Sequence, residues 1–450
     1  MPPADEAERD LAGALTTIGI DFGTTNTVVS LIDTAGEARL IRFHAPDREW
    51  VAFRSALSFH ADPDEPTRRI IEAGPFAIDA YAEEPLETRF IQSFKSYAAS
   101  PLFQETRILG RRYAFEDMLS AYMLRLMAHA IEGPPKTSPR AIIGRPVEFA
   151  GASPDPELAL QRYQAGFSRL GYGQIRYAFE PIAAAFFFAR KLTQDAVVLV
   201  GDFGGGTSDF SIVRFHREGG RIRARALANA GVGVAGDAFD YRIIDALVSP
   251  ELGKGSSYKT FDHILPIPNR YYAAFARWEQ LALLRASADM RDIRRLRREA
   301  LEPDKIIRLV EILDDNHGYR LYQSVSQFKE ALSAAEEATF RFAAGSIDLE
   351  MTVPRAAFEA WIAPELAAIT RALDTVLERA GMAAADIDRV FLTGGSSFVP
   401  AVRRIFAERF GAGRLESGAE LVSIATGLAY IGLEEDQTGW SEPWTDSSKA

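Results

Sequence analysis

The chain has 450 residues, of which 47% are apolar and 25% charged, and its formal net charge is −11. This composition predicts a globular protein with large cores rather than a disordered chain, and the acidic balance argues against a nucleic-acid-binding groove. The absence of cysteine excludes disulfides, thiolate metal sites and cysteine nucleophiles. With no signal-peptide pattern and no apolar run near the ~18 residues of a membrane span, the sequence predicts a cytoplasmic protein without membrane contact.

The first predicted element is a β-hairpin at residues 18–32, IGIDFGTTNTVVSLI. An apolar run leads to Asp21, a turn of Gly and Thr follows, and apolar positions then alternate. The same order recurs at residues 198–213, VLVGDFGGGTSDFSIV, where Asp202 takes the place of Asp21. Two copies of one hairpin predict two related lobes.

Mixed α/β sequence lies between the two hairpins. The segment RAIIGRP at 140–146 is predicted to be a buried strand that ends at its proline. Residues 177–192 predict a short strand, a turn at Glu180 and Pro181, and a helix in which the proline occupies the first turn.

The second half of the chain is predicted to be largely helical. Residues 226–248 are Gly-rich and then helical, and residues 270–345 have helical periodicity. The basic run at 291–308 predicts a solvated helix face rather than an RNA-binding patch, because no aromatic residues are interleaved. Residues 387–410 predict a strand, a Gly-Gly turn and a helix, and residues 420–432 a closing helix.

These elements predict two lobes, each a sheet with helices on its faces. The expected boundaries are lobe I at 14–192 with an upper insertion at about 45–115, lobe II at 193–433 with a helical insertion at about 237–350, and a polar tail at 434–450.

The two predicted turns have the chemistry of a phosphate site. Glycines and small hydroxyl residues expose backbone N–H groups that can hold phosphate oxygens. Asp21 and Asp202 could hold a hydrated Mg²⁺ through its waters, although neither turn is a Walker loop. The two turns consist of Gly23, Thr24, Thr25 and Asn26, and of Gly204, Gly205, Gly206 and Thr207.

Four segments, in order, resemble the nucleotide-binding domain of the seventy-kilodalton heat-shock chaperones. The two hairpins resemble its phosphate loops, FEPIAAAFFFA its first connecting segment, and VFLTGGSSFVPAVRRIF its adenosine loop. The resemblance covers about residues 17–433. It implies an α/β, actin-like ATPase fold, with two lobes of duplicated, ribonuclease H-like cores of β-sheet and helix around a nucleotide cleft.

The resemblance also implies a role for each matching residue. Lys95 would reach the terminal phosphate, Glu180 would orient water or metal, and Asp202 and Thr207 would complete the catalytic set. Asp21 and Asp202 would hold the water shell of Mg²⁺. The nucleotide-binding set would be Gly23, Thr24, Thr25, Asn26, Gly204, Gly205, Gly206, Thr207, Gly236, Asp237, Lys329, Ser333, Gly394, Gly395, Ser396 and Phe398.

Judged without the resemblance, two of these residues allow another interpretation. Lys95 is also consistent with a solvated surface position, and Glu180 with a helix-start residue that the macrodipole favours.

The sequence departs from the chaperone pattern in its adenine-clamping helix, predicted at 324–340. Lys329 and Ser333 match the family, but Ser326 and Glu330 stand where it has Glu and Arg. Phe398 replaces an arginine that stacks on adenine, a contact that an aromatic face can also make. We expect no peptide-binding domain, and the long helical insertion is similar to that of the YegD-like stand-alone members.

The expected function is ATP and ADP binding, with slow Mg²⁺-dependent hydrolysis that opens and closes the lobes as a switch for an unknown protein partner. One alternative is a nucleotide-sensing scaffold or filament former with little turnover. Another is a small-molecule kinase or polyphosphate phosphatase of the same superfamily, in which Asp209 or Glu180 would serve as the base.

Overall fold

A computed structural model describes most of the chain. The described residues are 17–44, 49–84, 87–131, 133, 139–149, 153–190, 192–218, 221–276, 278–285, 287–416, 422–434 and 442–443. Within them, one compact unit draws on residues 17–233, 370–397 and 404–443, and a second on residues 234–369 and 398–403. The predicted boundary between the lobes, at 192 and 193, falls inside the first unit, and the division into lobes stays a prediction.

Residues 17–232 alternate between strands and helices. The strands are β1 (Thr17–Phe22), β2 (Asn26–Ile32), β3 (Ala38–Leu40), β4 (Phe43–His44), β5 (Glu49–Trp50), β6 (Ala52–Arg54), β7 (Ala56–Ala61), β8 (Arg69–Ala73), β9 (Arg89–Gln92), β10 (Glu105–Ile108), β11 (Arg111–Ala114), β12 (Arg140–Arg145), β13 (Gln174–Phe179), β14 (Ala196–Phe203), β15 (Ser208–Glu218) and β16 (Arg221–Val232). The helices are α1 (Gly74–Glu83), α2 (Phe115–His129), α3 (Pro156–Phe167) and α4 (Glu180–Ala189).

The rest of the chain is richer in helix. The helices are α5 (Gly236–Ile243), α6 (Arg270–Ala273), α7 (Trp278–Arg285), α8 (Ala288–Glu299), α9 (Pro303–Asp314), α10 (Gly318–Ala334), α11 (Arg355–Trp361), α12 (Ala363–Ala380), α13 (Pro400–Phe410) and α14 (Ser423–Ile431). The strands are β17 (Ser257–Thr260), β18 (His263–Pro266), β19 (Glu337–Ala344), β20 (Ile347–Pro354), β21 (Arg389–Thr393), β22 (Leu415–Glu416) and β23 (Glu442–Pro443). No helix of the described residues has the length and apolar character needed to cross a membrane.

Two sheets of the first unit share one topology. In the first sheet the order is β23-β13-β12-β1-β2-β3, and in the second it is β16-β15-β14-β21-β22. In each, three sequential strands form an antiparallel meander, and two later strands add in parallel beyond its first strand. The internal repeat seen in the sequence therefore extends to the strand order of two whole sheets.

Small residues let two helices approach closely in the core of the first unit. Ala183, Ala184 and Ala185 of α4 are fully buried, as the Ala-rich sequence predicts. A Cβ at Gly427 of α14 would lie only 1.9 Å from the carbonyl oxygen of Ala183, so only glycine fits this crossing. Similarly, a Cβ at Gly19 of β1 would lie 2.2 Å from the carbonyl oxygen of Ala425. Helix α14 thus packs directly against both α4 and β1.

Three local predictions need correction. The predicted helix through 345 is wrong over Glu337–Ala344, which is strand β19, paired with β20. Buried and exposed residues alternate along this segment, the pattern of a half-buried strand. The helical periodicity of the residues before it therefore does not continue through it. Residues 226–232 of the segment predicted only as Gly-rich and then helical are the end of strand β16, and α4 begins at Glu180 with no separate turn.

The polar tail lies almost entirely outside the described residues. Its described part includes Glu442–Pro443, which pairs with β13 at the edge of the first sheet.

Candidate functional site

The two predicted turns are closed by the same hydrogen bond. The N–H of Gly23 donates to the carbonyl oxygen of Asn26 at 3.0 Å, and the N–H of Gly204 donates to that of Thr207 at 2.9 Å. A Cβ at Gly23 would lie 2.3 Å from the oxygen of Asn26, so the first turn requires glycine there. The two four-residue turns are therefore structural copies, as the repeated sequence predicts.

Several backbone N–H groups in the turns are available to a ligand. Within the described residues, the N–H groups of Thr24, Thr25, Gly205 and Gly206 donate no hydrogen bond to the protein. All four residues are partly exposed. Successive N–H groups that point away from the protein form a concave site for an anion, and phosphate oxygens match it.

Ser55, the single residue between β6 and β7, supports the first turn. Its hydroxyl donates to the carbonyl oxygen of Gly23 at 2.7 Å, and its N–H donates to that of Thr25 at 2.9 Å. The hydroxyls of Thr27 and Ser55 are also 3.1 Å apart. Sequence reasoning missed this residue, because a serine between two short strands gives no sign of such a contact.

Lys95 and Glu180 form a buried ion pair. Their Nζ and Oε1 atoms are 2.7 Å apart, and each side chain is only 8% exposed. Burial disfavours the charged ammonium, but the charge and hydrogen bond of Glu180, together with the charges of Tyr163 and Asp21, outweigh it and raise the pKa of Lys95. The surface position that the sequence also allowed for Lys95 is therefore wrong, and its ammonium is charged at neutral pH.

Three aspartates join this ion pair. Asp202 and Asp209 are opposite each other in the β14–β15 pairing, and both are buried. Burial and the charge of Glu180 raise the pKa of Asp21 to about 7, although Lys95 opposes this rise. Burial and the charges of Glu180, Asp21 and Asp209 raise the pKa of Asp202 well above its ordinary value. One ammonium thus interacts with four carboxyl groups and cannot balance all of them, and a bound cation would favour their ionised forms.

Asp209 has one oxygen without a partner. The hydroxyl of Thr207 donates to Oδ2 at 3.1 Å, and the backbone N–H of Glu148 also favours the ionised carboxylate, but Oδ1 is buried and has no hydrogen bond of normal geometry within the described residues. Burial, followed by the charge of Glu180, raises the pKa of Asp209 to about 7. A buried acceptor without a donor is costly, and a hydrated Mg²⁺, which donates through its waters, fits it. The sequence signal for this contact is the spacing of two between Thr207 and Asp209, because alternate residues of an extended segment face the same side.

The predicted Gly-Gly turn adjoins the second hairpin. Strand β21 runs parallel to β14 and pairs Thr393 with Asp202. Gly394 has φ 82°, and a Cβ there would lie 2.1 Å from the carbonyl oxygen of Phe203. Gly395 faces open space and Ser396 is buried. The structure thus brings these three residues to the end of the strand that carries Asp202.

The other predicted nucleotide contacts lie in the second unit. Lys329 Nζ is 2.8 Å from Asp240 Oδ1 and 3.3 Å from the carbonyl oxygen of Gly236, so α10 is tied to the start of α5. The hydroxyl of Ser333 donates to the carbonyl oxygen of Lys329, one turn earlier in its own helix. Asp237 is in the first turn of α5, and Phe398 is 46% exposed.

A further group of potential metal ligands lies away from these residues. Ligand atoms of Glu311, Asp315 and His317 lie within 4.8 Å of one another. The N–H and hydroxyl of Ser346 already donate to the two oxygens of Glu311. The carboxylate is thus engaged by the protein itself, and we assign no metal to this group.

Duplicated sheets, paired phosphate-type turns and a buried acidic cluster define an α/β class of protein with a candidate site for phosphate and a cation. The family model described as Hsp70 protein matches residues 167–257 and 304–432. A curated relative, a chaperone protein HscA homolog of Aromatoleum aromaticum, is 25% identical over 461 aligned positions, which cover 94% of this chain and 59% of the relative. The chain carries an Hsp70-like nucleotide-binding domain, and the predicted resemblance is confirmed. It spans about three-fifths of the length of that relative.

Proposed function

We propose that the chain binds ATP and ADP with Mg²⁺ at the two hairpin turns and hydrolyses ATP slowly. The observation that carries this proposal is the group formed by Asp21, Lys95, Glu180, Asp202 and Asp209, which gathers four carboxyl groups and one ammonium beside two phosphate-type turns. The Hsp70-like character of the chain supports the nucleotide as the ligand.

Each part of this group suits one task. The N–H groups of Thr24, Thr25, Gly205 and Gly206 would hold phosphate oxygens, since no acceptor of the described protein uses them. The carboxylates of Asp21 and Asp202 would hold the waters of Mg²⁺. When bound, Mg²⁺ would neutralise charge on the phosphates and lower the barrier to transfer.

Lys95 and Asp209 would act on the reacting groups. The Lys95 ammonium stays charged, so it can stabilise negative charge on the terminal phosphate. The unpartnered Oδ1 of Asp209 can accept a hydrogen bond from the attacking water and so orient it. Glu180 would fix Lys95 through their 2.7 Å contact. Closure of the predicted lobes around the nucleotide would provide the switch.

Calorimetric titration with Mg-ATP, beside ADP, GTP and AMP, tests this proposal. The wild-type chain should bind ATP and ADP only weakly without Mg²⁺. Asp202→Asn should weaken Mg-ATP binding by about tenfold or more, since the loss of one contact to the hydrated metal costs ~1–3 kcal/mol. Asp79→Asn, at an exposed position of α1, is the matched control and should bind as wild type does. Equal binding by Asp202→Asn, or no binding by the wild type, would exclude the proposed site.

The adenine-clamp helix favours a second candidate, a nucleotide-sensing scaffold with little turnover. Ser326 and Glu330 replace the Glu and Arg of the family pattern, and Lys329 is engaged by Asp240. Single-turnover hydrolysis separates the two candidates. Tight binding of Mg-ATP without release of phosphate over hours would favour the scaffold.

A further inference from the structure

The second unit carries a hairpin whose tip and outer strand expose apolar side chains. Strands β17 and β18 are joined by a two-residue turn, Phe261 and Asp262. The exposed fraction is 93% for Phe261, 64% for Ile264 and 41% for Leu265. Single exposed apolar residues are ordinary, but a contiguous group marks a contact surface.

The backbone at the tip is also unusual. Phe261 has φ 48°, in the left-handed region that glycine favours and bulky residues rarely adopt. Such a conformation costs about 1 kcal/mol or more. Because Phe261 is almost fully exposed, packing within the chain does not offset this cost. The positive φ is that of the first central position of a two-residue hairpin turn, and it leaves the ring of Phe261 exposed at the tip.

One edge of the hairpin is open. On the β17 side, Tyr258 forms a bridge with Ala300, and the N–H of Leu301 donates to the carbonyl oxygen of Ser257 at 2.9 Å. On the other side, β18 has no strand partner among the described residues. An open edge of this kind accepts an extended segment of another chain through main-chain hydrogen bonds. The edge is short, so most of the affinity would come from the apolar side chains.

The surroundings of the hairpin are basic. Helix α8, which packs against β17, carries five arginines, of which Arg291, Arg297 and Arg298 are exposed and have no ion-pair partner among the described residues. Between 258 and 303 there are nine Lys and Arg against six Asp and Glu, in a chain whose formal net charge is −11. This local reversal of charge favours an acidic partner.

This segment lies outside the residues that the family model matches. The model matches residues up to 257 and again from 304, so it omits 258–303, which holds the hairpin turn, β18 and α8. None of the residues assigned to the nucleotide site lies in this segment.

We propose that the hairpin and α8 form a docking site for an extended acidic segment of a partner protein. The segment would add along β18 and cover Phe261 and Ile264 with its apolar residues, and its carboxylates would be attracted by the net positive charge of residues 258–303, to which Arg291 and Arg298 contribute. In such an added strand, alternate side chains point to opposite faces, so the segment would alternate between apolar residues that contact the hairpin and acidic residues.

Selection from a random 16-residue peptide library displayed on phage, against the full chain, tests this proposal. The enriched peptides should be acidic, with alternating apolar residues. Synthetic copies should bind the double variant Phe261→Ser, Ile264→Ser at least tenfold more weakly than wild type. Binding should also weaken as salt rises and in Arg291→Glu. The matched control is Leu102→Ser, at a residue 97% exposed in the first unit, and it should bind as wild type does.

Three outcomes would overturn the proposal. One is enrichment of peptides that are not acidic, or of none, and another is equal binding by wild type and the double variant. The third is sedimentation in which the wild type dimerises and the double variant is monomeric, since the occupant would then be a second copy of the chain. Because both substituted residues are exposed, thermal unfolding should confirm that the variants fold, and Mg-ATP binding should be unchanged.

Discussion

At the scale of single residues, the sequence predicts the aspartates of the candidate site but not the contacts that other residues make with them and with the turns. The two hairpin motifs predict Asp21 and Asp202 from their order alone. The burial of Lys95 against Glu180 depends on a contact between residues 85 positions apart, which spacing cannot reveal. Ser55 escaped prediction for the same reason, and Asp209 was foreseen only as the base of the kinase alternative, because such a residue gains its role only from its neighbours in the fold.

The buried ion pair gives the first prediction. Lys95→Met leaves the Glu180 carboxylate buried without its ammonium, which should reduce the free energy of unfolding by about 3 kcal/mol and abolish phosphate release. Urea denaturation and single-turnover hydrolysis measure the two effects. Lys305→Met breaks a surface pair with Glu302 and should change stability by less than about 1 kcal/mol. A similar small change in Lys95→Met would contradict the account of the ion pair.

The unpartnered carboxyl of Asp209 gives a prediction about pH. Its pKa is raised from 3.8 to about 7, so the folded chain favours the protonated form. The stabilisation is therefore complete below the ordinary pKa and is lost as pH rises through about 7. Without nucleotide, the free energy of unfolding should fall between pH 6 and pH 8.

Urea denaturation at pH 6, 7 and 8 checks this dependence. Asp209→Asn should give a shallower fall than wild type, because the amide does not ionise among Glu180, Asp21, Asp202 and Lys95. The exposed control Asp79→Asn should retain the wild-type slope. An identical slope in Asp209→Asn would show that this carboxyl does not titrate as described.

At the scale of elements, periodicity predicts most strands and helices correctly. Both hairpins, the strand at 140–145 and the helix α14 lie where the sequence places them. The failure at 337–344 arises where a helical segment runs into a strand without Gly or Pro between them, so local pattern offered no boundary. The crossing of α4 and α14 was not predicted, since the glycine that meets the alanines of α4 lies more than 200 positions away in the sequence.

That crossing gives a third prediction. Gly427→Ala introduces a Cβ that would lie 1.9 Å from a backbone oxygen, which neither helix can move aside. The free energy of unfolding should fall by about 2 kcal/mol or more, as thermal or urea unfolding would measure. Gly413→Ala, where a Cβ meets nothing within 4 Å, should leave stability nearly unchanged. Equal stability of the two variants would mean that the helices do not cross this closely.

At the scale of the whole molecule, duplication is the organising feature. The repeat of a short hairpin motif in the sequence becomes two sheets with one strand order. The sequence predicts this much because each copy folds locally. It does not predict how the 234–369 unit is built, because the inserted segments carry no repeat of their own.

The central claim is that the two hairpins act together as one site for Mg²⁺ and phosphate. A double-mutant cycle on Mg-ATP affinity, with Asp21→Asn, Asp202→Asn and both together, tests it most directly by calorimetry. Because both aspartates would hold the water shell of one ion, we predict that the double variant loses less binding free energy than the sum of the single variants, by about 1 kcal/mol or more. Additive losses, or single variants that bind Mg-ATP as tightly as wild type, would contradict the claim.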